Sequence, residues 1–169
     1  MTLAERIPLP SKLGLVAALG SGALLGGAYY FQYVVGLAPC EMCYWQRWPH
    51  MAAIGVGLLA LACFAWPRLA LIFMMMAVMA LILTAALGVF HVGVEYHWWT
   101  GPQACSGNIP KGLSPDQLRK YLFGARMVRC DETAWSLWGI SMAGWNAILS
   151  AALAFVLASS VANWVRAHR

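Results

Sequence analysis

The chain has 169 residues, of which 62% are hydrophobic and only 10% charged, and a formal net charge of +5; soluble domains carry about 25% charged residues. That balance excludes a soluble enzyme, a nucleic-acid binder and a disordered chain, because the basic residues stand at the ends of long apolar segments instead of forming a patch. The chain reads as a single all-α membrane domain spanning residues 1–169.

Four stretches contain no Lys, Arg, Asp or Glu: Leu13 to Cys40, Trp48 to Pro67, Leu69 to Val94 and Thr133 to Val165. Each reaches the roughly 20 residues that a helix needs to cross a ~30 Å hydrocarbon core. They predict a four-transmembrane-helix bundle with spans at about 13–37, 48–66, 69–94 and 139–162. The first follows Arg6 and Lys12 but is longer than the apolar region of a cleavable signal, so it is expected to be retained. Four crossings put both termini and the short turn Trp66-Pro67-Arg68 on one face, and two loops, about 38–47 and 95–135, on the other. Trp45, Trp48, Trp98, Trp99, Trp135 and Trp138 would belt the loop-side interface, with Trp66 and Trp164 at the other. Gly22-x-x-x-Gly26 and Gly139-x-x-x-Ala143 offer small surfaces for close helix approach. Basic residues divide almost evenly between the two faces, so the positive-inside rule does not orient the chain; cysteine usage does.

The first loop carries Cys40-Glu41-Met42-Cys43, the second Cys105 and Cys130, so four of the five cysteines lie on one face. Such a face belongs in an oxidising compartment. Metal ligation and plain crosslinking are the alternatives to redox chemistry. A bond between Cys105 and Cys130 would close a loop of roughly 25 residues and contribute ~3 kcal/mol. A bond within Cys-x-x-Cys closes almost nothing and has little structural use, whereas this spacing suits reversible exchange. Arg47 follows Cys43 by four residues, one helical turn; with the helix N-terminus it would favour a Cys43 thiolate, the alternative being an anchor to lipid headgroups. In the second loop Ser114, Pro115, Asp116 and Gln117 form a capping box, with Leu113 and Leu118 as its staple. It predicts a short amphipathic helix from about Pro115 to Phe123, able to lie on the membrane surface. Cys63 and Met74-Met75-Met76 read as apolar packing.

Taken together, Pro39-Cys40-x-x-Cys43-x-x-Gln46-Arg47 after a first span, four spans, and a cysteine pair in the second long loop resemble the bacterial disulfide bond formation protein B (DsbB) family, over essentially the whole chain. The resemblance implies an inner-membrane, quinone-dependent protein thiol:disulfide oxidoreductase, with both termini cytoplasmic and both cysteine loops periplasmic. A periplasmic thioredoxin-fold oxidant (DsbA-like) would be reoxidised through a mixed disulfide with Cys105. The Cys105 and Cys130 pair would pass electrons to Cys40 and Cys43, and these to membrane quinone, ubiquinone in preference to menaquinone, with no metal. Cys43 and Arg47 would meet the quinone, with His91 or His97 as further candidates. The competing expectations are a relative dedicated to one client protein and a four-span scaffold with structural disulfides only.

Overall fold

The computed structural model describes residues 7–102, 105, 114–117, 119 and 129–168. Four long helices make up the body: α1 (Leu9–Tyr33), α2 (Glu41–Ala62), α3 (Pro67–Glu95) and α4 (Met142–Ala167). Between α3 and α4 a two-residue antiparallel ladder pairs β1 (Ser136–Leu137) with β2 (Ile140–Ser141). Its turn residues Trp138 and Gly139 both have positive φ, at 53° and 78°, as a tight hairpin turn requires.

Local chemistry sets the helix starts. Prolines occupy the first turns of α1 and α3, where the missing N–H removes no helical bond. Ser141 caps α4 by accepting from the Gly144 amide at 3.1 Å, so α4 begins at Met142, after the hairpin, and Gly139 lies outside it. Cys40 caps α2 in the same way, and the helix therefore starts at Glu41, seven residues before the second charge-free run. The first helix ends at Tyr33, ahead of Gly36 at φ 84°.

Among the described residues three helices, α1, α3 and α4, are long and apolar enough to cross a membrane. The first half of α2 carries Glu41, Gln46, Arg47 and His50 and falls short on composition. Large apolar side chains point outward, among them Leu19, Ile72, Met79 and Phe155, while the centre holds Ala17, Ala53, Ala60, Ala77 and Ala154 around Met74, Leu81 and Leu157. Such an arrangement suits lipid: small residues inside let helices approach, and bulky ones face the tails.

Of the positions that the small-residue spacing pointed to, Ala143 makes a close approach, to Gly88, while Gly22, Gly26 and Gly139 do not. A Cβ on Gly22 or Gly26 would meet nothing within 4 Å, whereas one on Gly14 would strike the Gly57 carbonyl, and one on Gly57 the Gly14 carbonyl, each at 2.6 Å. Gly88 packs in turn on Ala143 and Ala147 of α4. In the second loop the capping box is present: Ser114 N donates to Gln117 Oε1 at 3.0 Å, and Gln117 N to Ser114 Oγ at 3.3 Å. Pro115–Gln117 and Arg119 are helical; Leu113, Leu118 and the rest of the expected helix lie outside the described residues.

Candidate redox site

The site is built on the first turn of α2. Cys40 Sγ accepts the Cys43 amide at 3.2 Å, and the two sulfurs stand 2.7 Å apart. Both thiols are free. A backbone N–H at a helix start is an orphan donor carrying part of the helix dipole, so it favours charge on sulfur. The Cys43 thiol lies below the ordinary thiol range, first because Cys40 hydrogen-bonds to it and further because Arg47 is near, with burial opposing. Cys40 is pushed up by the same bond and by burial. The pair thus holds one negative charge readily and a second only at cost.

Arg47 is only 7% exposed. Its guanidinium lies between the Tyr29 and Tyr44 rings, 5.0 and 5.1 Å from their centroids, and donates to Gln32 Oε1. That placement turns it inward from lipid headgroups, and its Nε is buried with no hydrogen-bond partner.

Cys105 and Cys130 form a disulfide with Cα atoms 5.1 Å apart. Gly101-Pro102 and Ser106-Gly107 on either side of Cys105 predict, as sequence, a mobile and exposed backbone; instead Cys105 is 3% exposed and Cys130 0%. Both pack with Cys40, Met42 and Val94 in one buried cluster, so the two cysteine pairs are neighbours. Beside Cys130, Arg129 forks onto Asp131 at 2.9 and 2.6 Å, and this holds the Asp131 carboxyl below the usual carboxylate range.

The two histidine candidates separate. His91, on α3 and 4% exposed, brings Nε2 to 3.7 Å from Cys40 Sγ. His97 lies past the end of α3 at φ 57°, with its side chain 72% exposed and 4.0 Å from Asp131. The helix stops at Glu95, and the left-handed residue swings His97 away from the first pair. Sequence reasoning gave no role to the polar side chains behind His91. Gln46 Nε2 lies 2.8 Å from His91 Nδ1, Asn146 Nδ2 donates to Gln46 Oε1 at 2.8 Å, and Asn146 Oδ1 lies 2.9 Å from His50 Nε2. Thr84 Oγ1 donates to the Gln46 carbonyl at 2.9 Å. The available signal was their presence in otherwise apolar helices, where polar side chains are expensive.

α1 and α4 meet closely at Gly20 and Leu153, and elsewhere between them lies a cavity of about 500 Å³, walled by Cys40, Cys43, Arg47 and His50 of α2 and by His91 and Glu95 of α3. The rest of its lining is mostly apolar, including Leu25, Phe31, Trp135 and Leu149. This is the size and character of a pocket for a small ring-bearing ligand. The sequence matches the family described as "Disulfide bond formation protein DsbB" over residues 10–160. The chain belongs to the DsbB family.

Relatives agree. A disulfide bond formation protein B of Verminephrobacter eiseniae is 32% identical over 168 residues, covering 95% of this chain and 90% of that one. The protein of the same name in Pasteurella multocida is 29% identical over 157 residues, covering 89% and 85%. An uncharacterized Rickettsia prowazekii protein is 27% identical over 147 residues, covering 86% and 84%. No solved structure matches. Membership of the DsbB family makes this an integral membrane thiol:disulfide oxidoreductase of disulfide bond formation.

Proposed function

We propose that the protein sits in the bacterial inner membrane with four crossings, both termini cytoplasmic and both cysteine loops periplasmic. There it reoxidises a DsbA-like thioredoxin-fold oxidant and hands the electrons to membrane quinone. The observation that carries the reading is the packing of the two cysteine pairs in one buried cluster, with Cys40 and Cys43 also lining an apolar cavity beside a buried, half-satisfied arginine. The apolar part of α2, from about residue 48 onward, completes the fourth crossing, and its first two turns lie on the loop side.

The residues fit a quinone: Arg47 offers an unpaired Nε–H for a ring oxygen, Cys43 a favoured thiolate, and the apolar walls room for the ring. A quinone held there supplies a two-electron acceptor. The chain does the rest. Thiolate attack on a disulfide proceeds through a mixed disulfide; a reduced partner enters at Cys105, and Cys130 is released to attack the neighbouring first pair. Cys43 is retained as thiolate by the Cys40 bond, the helix start and Arg47. His91 stands at Cys40, and His97 at the edge of the second pair.

The test is quinone reduction by purified protein given a reduced thioredoxin-fold partner. Turnover is expected, with Arg47→Met raising the quinone KM about tenfold, the equivalent of one charge-assisted hydrogen bond, while the Cys105–Cys130 bond stays intact. Partner oxidation without quinone reduction would sink the electron route, and an unchanged KM would remove Arg47 from the quinone site.

A further inference from the structure

Cys40 Sγ, Cys43 Sγ and one nitrogen of His91 lie within 4.8 Å of one another, a grouping that would suit a thiophilic cation. The bonds behind His91 are wired the other way. A metal-bound imidazole donates its second N–H to an acceptor, so the question is what Gln46 presents to His91 Nδ1.

Two backbone carbonyls fix the answer. Gln46 Nε2 is 3.3 Å from the Met42 carbonyl, and Asn146 Nδ2 is 3.5 Å from the Thr84 carbonyl. A carbonyl only accepts, so each of these side-chain atoms is the NH2 of its amide. Gln46 then donates to His91 Nδ1, which accepts, and the ring proton of neutral His91 is on Nε2, facing Cys40 Sγ at 3.7 Å, with the Cys130 backbone also within reach of the ring. Asn146 secures the Gln46 amide by donating to its oxygen, and its own oxygen is held by His50 Nε2 and by Ser150 Oγ, which donates at 3.2 Å. Cys40 Sγ therefore receives two N–H groups, from the Cys43 amide and from His91.

We propose that Gln46, itself held by Asn146, fixes His91 as an Nε2–H donor, and that this N–H together with the Cys43 amide holds the negative charge that develops on Cys40 Sγ as the first disulfide closes. Closing that bond joins two sulfurs that have both shed their protons and withdraws two electrons. Under the reading above, the two electrons and two protons end on quinone as quinol, and the inference rests on that reading only for the acceptor. Cys43 reaches the anionic state readily; Cys40, beside a charged neighbour, needs the help. Gln46 and Asn146 are positioning residues, acting through His91.

The experiment isolates Cys40. In a Cys43→Ser, Cys63→Ala background, the rate of Cys40 alkylation is followed against pH in detergent, with peptide mass spectrometry reading the site. The charged or titratable groups facing the same cavity, besides the cysteines, are Arg47 and His50 on α2, His91 and Glu95 on α3, and Arg129 and Glu132 before β1; α1 and α4 contribute none. Adding Gln46→Leu or His91→Phe is expected to move the midpoint up by about one unit, a tenfold loss of thiolate at a given pH. Arg47 is left in place, and an intact Cys105–Cys130 bond reports a folded variant. The unsubstituted protein supplies a second measurement, the ¹⁵N spectrum of its histidines: His91, assigned by its loss in His91→Gln, should show Nε2 protonated and Nδ1 bare. A midpoint unmoved by both substitutions, a protonated Nδ1, or protection of both thiols by one equivalent of Zn²⁺ that depends on His91 would each overturn the proposal. None of these needs quinone or a partner protein, so failure here leaves the electron route standing, and failure of quinone reduction leaves this assignment standing.

Discussion

The Cys43 thiol is held below the ordinary range by supports that differ in strength. The bond from Cys40 comes first, Arg47 adds to it, and burial works against both. In the reduced protein, Cys43 alkylation should therefore titrate below the ~8.5 of a free thiol. Cys40→Ala is expected to raise that midpoint more than Arg47→Met, both read by alkylation rate against pH; the reverse order would make the guanidinium the main support. The sign for stability follows. A thiol whose folded value is depressed stabilises the reduced fold above the unfolded value, and this contribution is lost as pH falls through the depressed one. The reduced protein should thus lose thermal stability on acidification through the range just below that of ordinary thiols.

Between helices, contact is decided by which face turns inward, and glycine spacing does not say. Gly57 opposes Gly14 backbone to backbone, while Gly22 faces open space. Gly57→Leu should cost ~1–3 kcal/mol, as overpacking does, and Gly22→Leu should stay within about 0.5 kcal/mol, both measured as detergent unfolding midpoints; equal costs would mean that α1 and α2 do not meet as described. The same distinction separates what was legible in the chain from what was not. Cys40, Cys43 and Arg47 lie within two turns of one helix, so spacing alone brought them together. The capping box at Ser114 and Gln117 is local for the same reason. His91 is partnered by Gln46, and Gln46 by Asn146, on two other helices, and only packing could show that these amides share one buried chain. His91 and His97 were equivalent on paper because both stand near the end of α3. Termination at Glu95 and the positive φ of His97 put them in different places.

At the scale of the whole molecule, the proposed orientation puts the hairpin turn on the outer face and Arg68 and Ala167 on the inner. In intact spheroplasts of a Cys63→Ala strain, Trp138→Cys should react with a membrane-impermeant thiol reagent, and Arg68→Cys and Ala167→Cys should not. Labelling of either inner position from outside would reverse the topology. Trp138 is 84% exposed, so failure of that probe to react would count against the orientation equally. The burial of Cys105 and Cys130 also sets a tempo. At 3% and 0% exposed, Cys105 and Cys130 offer an incoming thiolate no line of attack, so each exchange must wait for the bond to part from Val94 and Met42. Waiting of this kind leaves a kinetic signature: with small dithiols, reduction of the bond should speed up with concentration and then level off at a ceiling common to all reductants. A rate that kept climbing in proportion to dithiol would show the bond to be open to solvent. The ceiling is a clock internal to the protein, and a soluble partner that outruns it must do so by prying the bond out of its packing, which makes docking and opening a single event.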